Sequence, residues 1–267
     1  MSKPSTGTPW VRYEAVDGVA TLTIDQPARM NAMTLDMWLS VPELIARAEA
    51  DASVRVIAIT GVGDRAFSAG ADISEFAEKR SGDAAVAAYD HAVAAADDAL
   101  GHAGKPTVAV IAGTCFGGGM GIAMHCNLRI AASHSRFRIP AARLGLGYGY
   151  AIIDLMVRKL GMGPVADLLF SARIVDATEA FRLGMVNQMF EHDSFRAEAA
   201  AYLARIAGNA PLTLRAIKGA LVEITKPDFE RDVGAVDALV DACFKSADYR
   251  EGQAAFREKR DPVFKGT

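Results

Sequence analysis

The stretch AFSAGADISEF, residues 66–76, puts small residues and a glycine between an apolar segment and an acidic residue. Small side chains let another molecule approach the backbone closely, and they leave amide N–H groups free to point at it. A second stretch, GTCFGGGMGIAM at residues 113–124, places three consecutive glycines between a predicted strand and a predicted helix. Both stretches therefore indicate strand-to-helix junctions with an accessible backbone.

Three interpretations of these glycine-rich junctions are open. The glycines could form tight turns that allow a helix to pack closely on a sheet. A phosphate-binding loop is disfavoured, because the sequence has no GxxxxGK[ST] motif and its glycine spacing does not fit GxGxxG. Two backbone N–H groups, one from each junction, could instead converge on one oxygen atom, which is the geometry of an oxyanion hole.

Strand and helix patterns alternate through the first half of the chain. Residues 11–16 and 19–24 alternate in polarity around Asp17-Gly18, which predicts a β-hairpin. After residue 149 the pattern becomes wholly helical, so we predict an α/β core followed by a helical appendage. Between the hairpin and the appendage, helices are expected at 35–51 (interrupted by Pro42), 83–104 and 120–125, and buried strands begin at Val54, Thr107 and Leu128.

Composition narrows the class of protein. The 267 residues are 51% hydrophobic and 23% charged, which suits a soluble globular chain with a large core. A net charge of −3 without basic clusters argues against nucleic-acid binding, and three cysteines without CxxC spacing indicate neither disulfides nor a metal site. No membrane-spanning run occurs, and residues 1–10, MSKPSTGTPW, are expected to be a short flexible start. We therefore expect a cytoplasmic protein.

Four motifs together carry a family resemblance. PARMNAM (27–33), AFSAGADISEF, GTCFGGGMGIAMHCNLRIAAS (113–133) and EGQAAFREKRDPVFKG (251–266) follow the order and spacing of the enoyl-CoA hydratase/isomerase, or crotonase, superfamily. The resemblance implies a spiral of ββα units over residues 1–200 and a C-terminal helical oligomerisation region over 201–267. It also implies a homotrimer or dimer of trimers, with coenzyme A as part of the substrate and no permanently bound cofactor or metal.

The resemblance also assigns site residues. The N–H groups of Ala71, after the "AG" pair, and of Gly118, the middle glycine, are expected to hold the thioester oxygen as an oxyanion hole. Asp72 has a second interpretation, because an aspartate before a helix is often its N-cap. The residues expected to contact coenzyme A are Ala69, Asp72 and Ile73 through main-chain groups, and Arg29 near the phosphates.

The acid–base residues depart from the family pattern. The two glutamates of its hydratases correspond here to Gly121 and Ala141, and neither can transfer a proton. Tyr148, in the run LGLGY, is similar in position to a tyrosine of the family's methylmalonyl-CoA decarboxylases. A decarboxylase-like or C–C lyase activity using Tyr148 is therefore one alternative, and a catalytically silent CoA-thioester-binding homologue is another.

The predicted helix over residues 83–104 offers a further source of an acid. In the family this helix roofs the acyl pocket, and a side chain from it could replace a missing glutamate. The sequence does not show which side chains face inward. The candidates on this helix are Tyr89, His91, Asp97 and Asp98.

Overall fold

The computed structural model describes residues 10–79 and 81–267. It begins with the predicted hairpin, formed by β1 (Trp10–Val16) and β2 (Val19–Asp25) in antiparallel register. Asp17 and Gly18 both have positive φ, 49° and 81°, as a two-residue hairpin turn requires. The hairpin prediction is confirmed, whereas the expectation for residues 1–9 lies outside the described residues.

The hairpin opens a six-stranded main sheet in the order β1-β2-β3-β5-β7-β10. From β2 onward the pairs are parallel. Alternate residues of β3 serve two cores: Ile57 and Ile59 pack in the larger one, and Val56 and Ala58 pack on the other face. The strands after the hairpin are β3 (Val56–Gly61), β5 (Thr107–Ile111), β7 (Leu128–Ala132) and β10 (Gln188–Phe190).

A second sheet of very short strands lies beside the first, in the order β4-β6-β8-β9. Its members are β4 (Ala66–Ser68), β6 (Thr114–Phe116), β8 (Arg136–Arg138) and β9 (Val175–Asp176). The first three each follow a strand of the main sheet within a few residues, so the chain winds as repeated long strand, short strand and helix. The predicted ββα spiral is confirmed.

Helices cover the sheets and form the C-terminal part. Helix α1 continues through Pro42, contrary to the predicted interruption; the proline is the eighth residue of the helix, which buries Val41 before it and Ile45 after it. The helices are α1 (Leu35–Ala50), α2 (Phe76–Lys79), α3 (Asp83–His102), α4 (Gly118–His125), α5 (Ala141–Leu144), α6 (Tyr150–Leu160), α7 (Met162–Ser171), α8 (Ala177–Arg182), α9 (Phe195–Ala207), α10 (Pro211–Thr225), α11 (Val233–Lys245) and α12 (Ala247–Glu258).

The region after residue 149 differs from its prediction. It is mainly helical, but it also contains β9 and β10, which join the edges of the two sheets. These strands have two and three residues, too few to produce an alternating pattern in the sequence. The division at residue 200 stays a prediction. Across the described residues, every helix is too short or too polar to cross a membrane.

Candidate active site

The first junction presents the N–H of Ala71. Met33 donates its N–H to the Gly70 carbonyl at 2.7 Å, and Asp72 donates to the Met33 carbonyl at 2.8 Å. This isolated parallel bridge uses the residues on both sides of Ala71 and turns the Ala71 N–H away from Met33. Gly70 has a φ of 98°, which favours glycine at this turn.

The second junction presents the N–H of Gly118, the first residue of α4. A Cβ on Gly118 would lie 3.4 Å from the Ala71 nitrogen, and a Cβ on Gly70 would lie 2.8 Å from the Gly118 nitrogen. The two N–H groups therefore lie side by side. A Cβ on Gly119 would approach the Ser68 carbonyl oxygen to 2.6 Å, so the close packing between the junctions also requires glycine.

Neither of these N–H groups donates a hydrogen bond to an acceptor within residues 10–79 and 81–267. Both residues are only half-buried, so a ligand oxygen can reach them. Two adjacent unused donors at strand-to-helix junctions form the arrangement of an oxyanion hole. The tight-turn interpretation and the oxyanion-hole interpretation of the glycines are thus compatible.

The electrostatics of α4 support an anion at its N-terminus. At its C-terminal end, Lys159 Nζ and Arg129 Nη1 donate to the Cys126 carbonyl at 2.9 and 3.0 Å. These cations lie where the helix dipole is negative, and the dipole's positive end lies at the paired N–H groups of Ala71 and Gly118. Burial, aided by the charge of Arg129, lowers the pKa of Lys159 to about 8.

The predicted coenzyme A contacts lie around the first junction. Asp72 is buried, caps the short 3₁₀ helix Ile73–Glu75 by accepting from the Ser74 N–H at 3.1 Å, and pairs with Arg29 at 3.0 Å. Burial alone would raise the pKa of Asp72, but the Ser74 hydrogen bonds and the Arg29 charge outweigh it and lower the pKa. Arg29, Ile73 and Ala69 are accessible to a ligand, with Ile73 70% exposed.

Asn31 holds the loop that carries Arg29. Its side-chain amide donates to the carbonyls of Val62 and Ala66 at 3.0 and 2.7 Å, and its carboxamide oxygen accepts from the Gln26 N–H at 3.2 Å. The residue is buried and has a φ of 56°. Sequence reasoning identified the motif PARMNAM but not this role of its asparagine.

The wall contributed by residues 140–154 places its polar side chains differently. Tyr148 is half-buried and packs against the main core, whereas Tyr150 is 83% exposed. Asp154 forms an ion pair with Arg158 at 2.8 Å on the same helix. Burial, followed by the charge of Asp97, raises the pKa of Tyr148 above its usual value, so its hydroxyl stays protonated.

The position of the first missing glutamate faces a carboxylate from α3. A Cβ on Gly121 would lie 3.4 Å from Asp97 Oδ2 and 3.8 Å from Asp97 Oδ1. The other candidates on α3 lie elsewhere: His91 is exposed, and Asp98 pairs with His102 at 2.8 Å on the surface. Tyr89 is buried and donates to the Met33 carbonyl at 3.4 Å.

A spiral of long strand, short strand and helix, with paired N–H donors at two strand-to-helix junctions, is the crotonase architecture. Residues 14–267 match a sequence model of the family described as "Enoyl-CoA hydratase/isomerase". The chain belongs to the enoyl-CoA hydratase/isomerase family, which confirms the prediction from the four motifs.

Several relatives are similar over nearly their whole length. A crotonyl-CoA hydratase of Syntrophomonas wolfei is 32% identical over 94% of this chain and 96% of its own. An (E)-benzylidenesuccinyl-CoA hydratase of Thauera aromatica is 29% identical over 96% of this chain and 99% of its own. The crystal structure of an enoyl-CoA hydratase/carnithine racemase from Magnetospirillum magneticum has a TM-score of 0.89 at 34% identity, covering 96% of each chain.

Proposed function

We propose that this protein binds an acyl-CoA thioester and catalyses a reaction that passes through the thioester enolate. The observation that carries the proposal is the pair of adjacent N–H groups, of Ala71 and Gly118, without acceptors among the described residues. An enolate places negative charge on the thioester oxygen, so preorganised donors stabilise the transition state more than the ground state.

Hydration of a 2-enoyl thioester is the reaction we place first. Proteins similar over nearly the whole chain carry the names of CoA-thioester hydratases. Because Gly121 and Ala141 replace the usual glutamates, the proton transfer has to use another side chain.

Decarboxylation of a malonyl-type thioester is the second candidate, and Tyr148 favours it. This side chain is half-buried against the core, and its hydroxyl stays protonated, so it can donate a hydrogen bond to a substrate carboxylate. The departing carboxylate supplies the electrons of the enolate, and this route needs no general base.

The coenzyme A moiety is proposed to lie along the first junction. Main-chain groups of Ala69, Asp72 and Ile73 line this edge, and Arg29 extends beyond it towards solvent. The Asp72 carboxylate already caps a helix and pairs with Arg29, so in this proposal it orients the arginine. The Asp72 N–H donates to the Met33 carbonyl and so holds this edge in place beside the ligand.

We also propose that the helices α10, α11 and α12 assemble the protein into a homotrimer or a dimer of trimers. Helix α11 buries no residue within the described chain, and Phe244 and Phe256 are 60% and 86% exposed. The three helices line an apolar cavity of about 680 Å³ that is open to solvent. Exposed apolar surface of this extent is typical of an interaction site, and light scattering coupled to size-exclusion chromatography tests the oligomer.

The function is tested by turnover of a panel of CoA thioesters followed by mass spectrometry. The panel contains 2-enoyl, 3-enoyl, 3-hydroxyacyl, malonyl and methylmalonyl thioesters, and Tyr148→Phe is assayed beside the wild type. Hydration of the 2-enoyl thioesters is the expected result. Loss of CO₂ that is weakened in Tyr148→Phe supports decarboxylation instead. Binding of coenzyme A thioesters without turnover of any of them contradicts the enzymatic proposal and indicates a binding protein.

A further inference from the structure

We propose that Asp97 is the catalytic acid–base residue of this site and replaces, from the roof helix α3, the glutamate that is missing at position 121. The inference rests on the proposed enolate reaction and names the group that moves its proton. Sequence reasoning left several residues of α3 open, and the structure distinguishes Asp97 from them by its position.

The position follows from the geometry of α4. Gly118, which carries an oxyanion N–H, and Gly121 are three residues apart, so they lie on the same face of the helix and roughly 4.5 Å apart along its axis. The Asp97 carboxylate lies 3.4 Å from where a Gly121 Cβ would be. The Asp97 carboxylate therefore lies one helical turn from the proposed oxyanion hole, next to the point from which a glutamate side chain at position 121 would extend.

The lack of a long side chain at position 121 leaves room for this approach. A Cβ there would already be in van der Waals contact with the Asp97 oxygens, and any longer side chain would compete with them for the same space. The missing side chain at position 121 of α4 thus leaves the space that the Asp97 carboxylate of α3 occupies.

The Asp97 carboxylate keeps unused hydrogen-bonding capacity. Its Oδ1 is buried and has no hydrogen-bond partner among the described residues, and the side chain is 14% exposed. His125 Nδ1 lies 3.4 Å from this oxygen but is closer, at 2.9 Å, to the Gly121 carbonyl oxygen. Asp98, one residue along, is by contrast 72% exposed and paired with His102.

A complete proton cycle needs only this carboxylate. Asp97 accepts a proton from water as the water oxygen bonds to Cβ of the 2-enoyl thioester, and the C=C electrons move to the thioester oxygen held by Ala71 and Gly118. Asp97 then returns the proton to Cα as the enolate collapses. The net change is addition of one water molecule, and the carboxylate is regenerated.

His125 is a positioning residue in this arrangement. It is part-buried beside Asp97, and its ring nitrogen bridges towards both the Gly121 carbonyl and the carboxylate. In this proposal it holds the carboxylate next to the glycine.

The test compares Asp97→Asn with Asp98→Asn, which removes the same charge from the same helix at an exposed position. Hydration of crotonyl-CoA and solvent-deuterium incorporation at Cα of butyryl-CoA are measured, together with butyryl-CoA affinity and thermal unfolding. We expect Asp97→Asn to lower both rates by about 100-fold or more, the usual contribution of a general acid–base, while the affinity changes less than about threefold. Asp98→Asn is expected to keep wild-type rates.

The double variant Gly121→Glu/Asp97→Ala keeps the proposal testable if Asp97→Asn is unstable, because alanine at position 97 vacates the space that a glutamate at position 121 needs. It returns a carboxylate to the site from α4. We expect it to hydrate crotonyl-CoA at least tenfold faster than the single variant at position 97, which a structural role for Asp97 would not produce. Wild-type rates in a folded Asp97→Asn protein overturn the role of Asp97 and leave the proposed function standing. Absence of both reactions in the wild type overturns the proposed function and this role with it.

Discussion

Removal of the Gly118 N–H is the most direct perturbation of the proposed oxyanion hole. Gly118→Pro replaces the proton with a ring carbon, and proline is tolerated at the first position of a helix. The N–H donates to no acceptor in the described part of the chain, so its loss removes no hydrogen bond that stabilises the fold. Loss of one oxyanion donor typically costs about 3–4 kcal/mol, which corresponds to a fall in kcat of about 10²- to 10³-fold.

Gly118→Ala is the matched control. Its methyl group would lie 3.1 Å from Trp38 Cζ2, so it reproduces the crowding of the substitution while keeping the N–H. A shift of the indole by a few tenths of an ångström relieves this contact. We therefore expect the alanine variant to lose much less activity than the proline variant.

The assay measures kcat on the best substrate of the thioester panel, with butyryl-CoA affinity and thermal unfolding measured beside it. Because the donor acts mainly on the enolate, kcat should fall far more than the affinity for the saturated thioester. If folded Gly118→Pro retains a kcat within tenfold of Gly118→Ala, the N–H does not stabilise the transition state, and the assignment of the oxyanion hole is refuted.

Three further predictions concern the surroundings of the site. Burial disfavours a charged His125, but the Asp97 carboxylate 3.4 Å from its ring outweighs burial and raises the pKa of His125. The contribution of His125 to folding is therefore complete below the unfolded pKa of about 6.5 and is lost as the pH rises through the folded pKa. Asp97→Asn should lower this pKa in an NMR titration, and an unchanged value contradicts the contact. Arg29→Ala should weaken butyryl-CoA binding about fivefold, which is the scale of an exposed ion pair. It should not weaken the binding of butyryl-pantetheine, because that ligand lacks the nucleotide phosphates. Equal losses of affinity for both ligands exclude a phosphate contact. Asn31→Ala leaves buried backbone groups unpaired and should lower the free energy of unfolding by about 2–4 kcal/mol in urea titrations, and a change below about 0.5 kcal/mol shows that the loop tolerates its loss.

The sequence predicts the longer elements of the fold because their patterns are long enough to be recognised. Asp17-Gly18 predicts the hairpin, and the apolar runs beginning at Val54, Thr107 and Leu128 predict the parallel strands. The short strands of the second sheet were not recognised, since three residues carry no periodicity. Two of these short strands, β4 and β6, nevertheless lead directly into the junctions that carry Ala71 and Gly118.

The proposed oxyanion residues could be located from sequence because their role needs a backbone and little else. Small residues mark such a backbone directly, as at Ala71 and Gly118. Asp97 could not be chosen in the same way, because α3 is rich in alanine on more than one face and its hydrophobic period is weak. Only the packing of α3 against α4 shows that Asp97 faces Gly121 while Asp98 faces solvent.

The pairing of Gly121 with Asp97 changes how the missing glutamates are interpreted. A glycine alone at position 121 indicates a loss of proton transfer, yet here it opens the space that a carboxylate from another helix occupies. A glutamate added at 121 would bring a second carboxylate close to the existing aspartate, and two like charges about 4 Å apart repel by about 1 kcal/mol in water and about 4 kcal/mol near a protein surface. A single carboxylate at this place is therefore favoured over two. In the proposed mechanism, the acid therefore comes from α3, while the N–H groups of Ala71 and Gly118 stay at their strand-to-helix junctions.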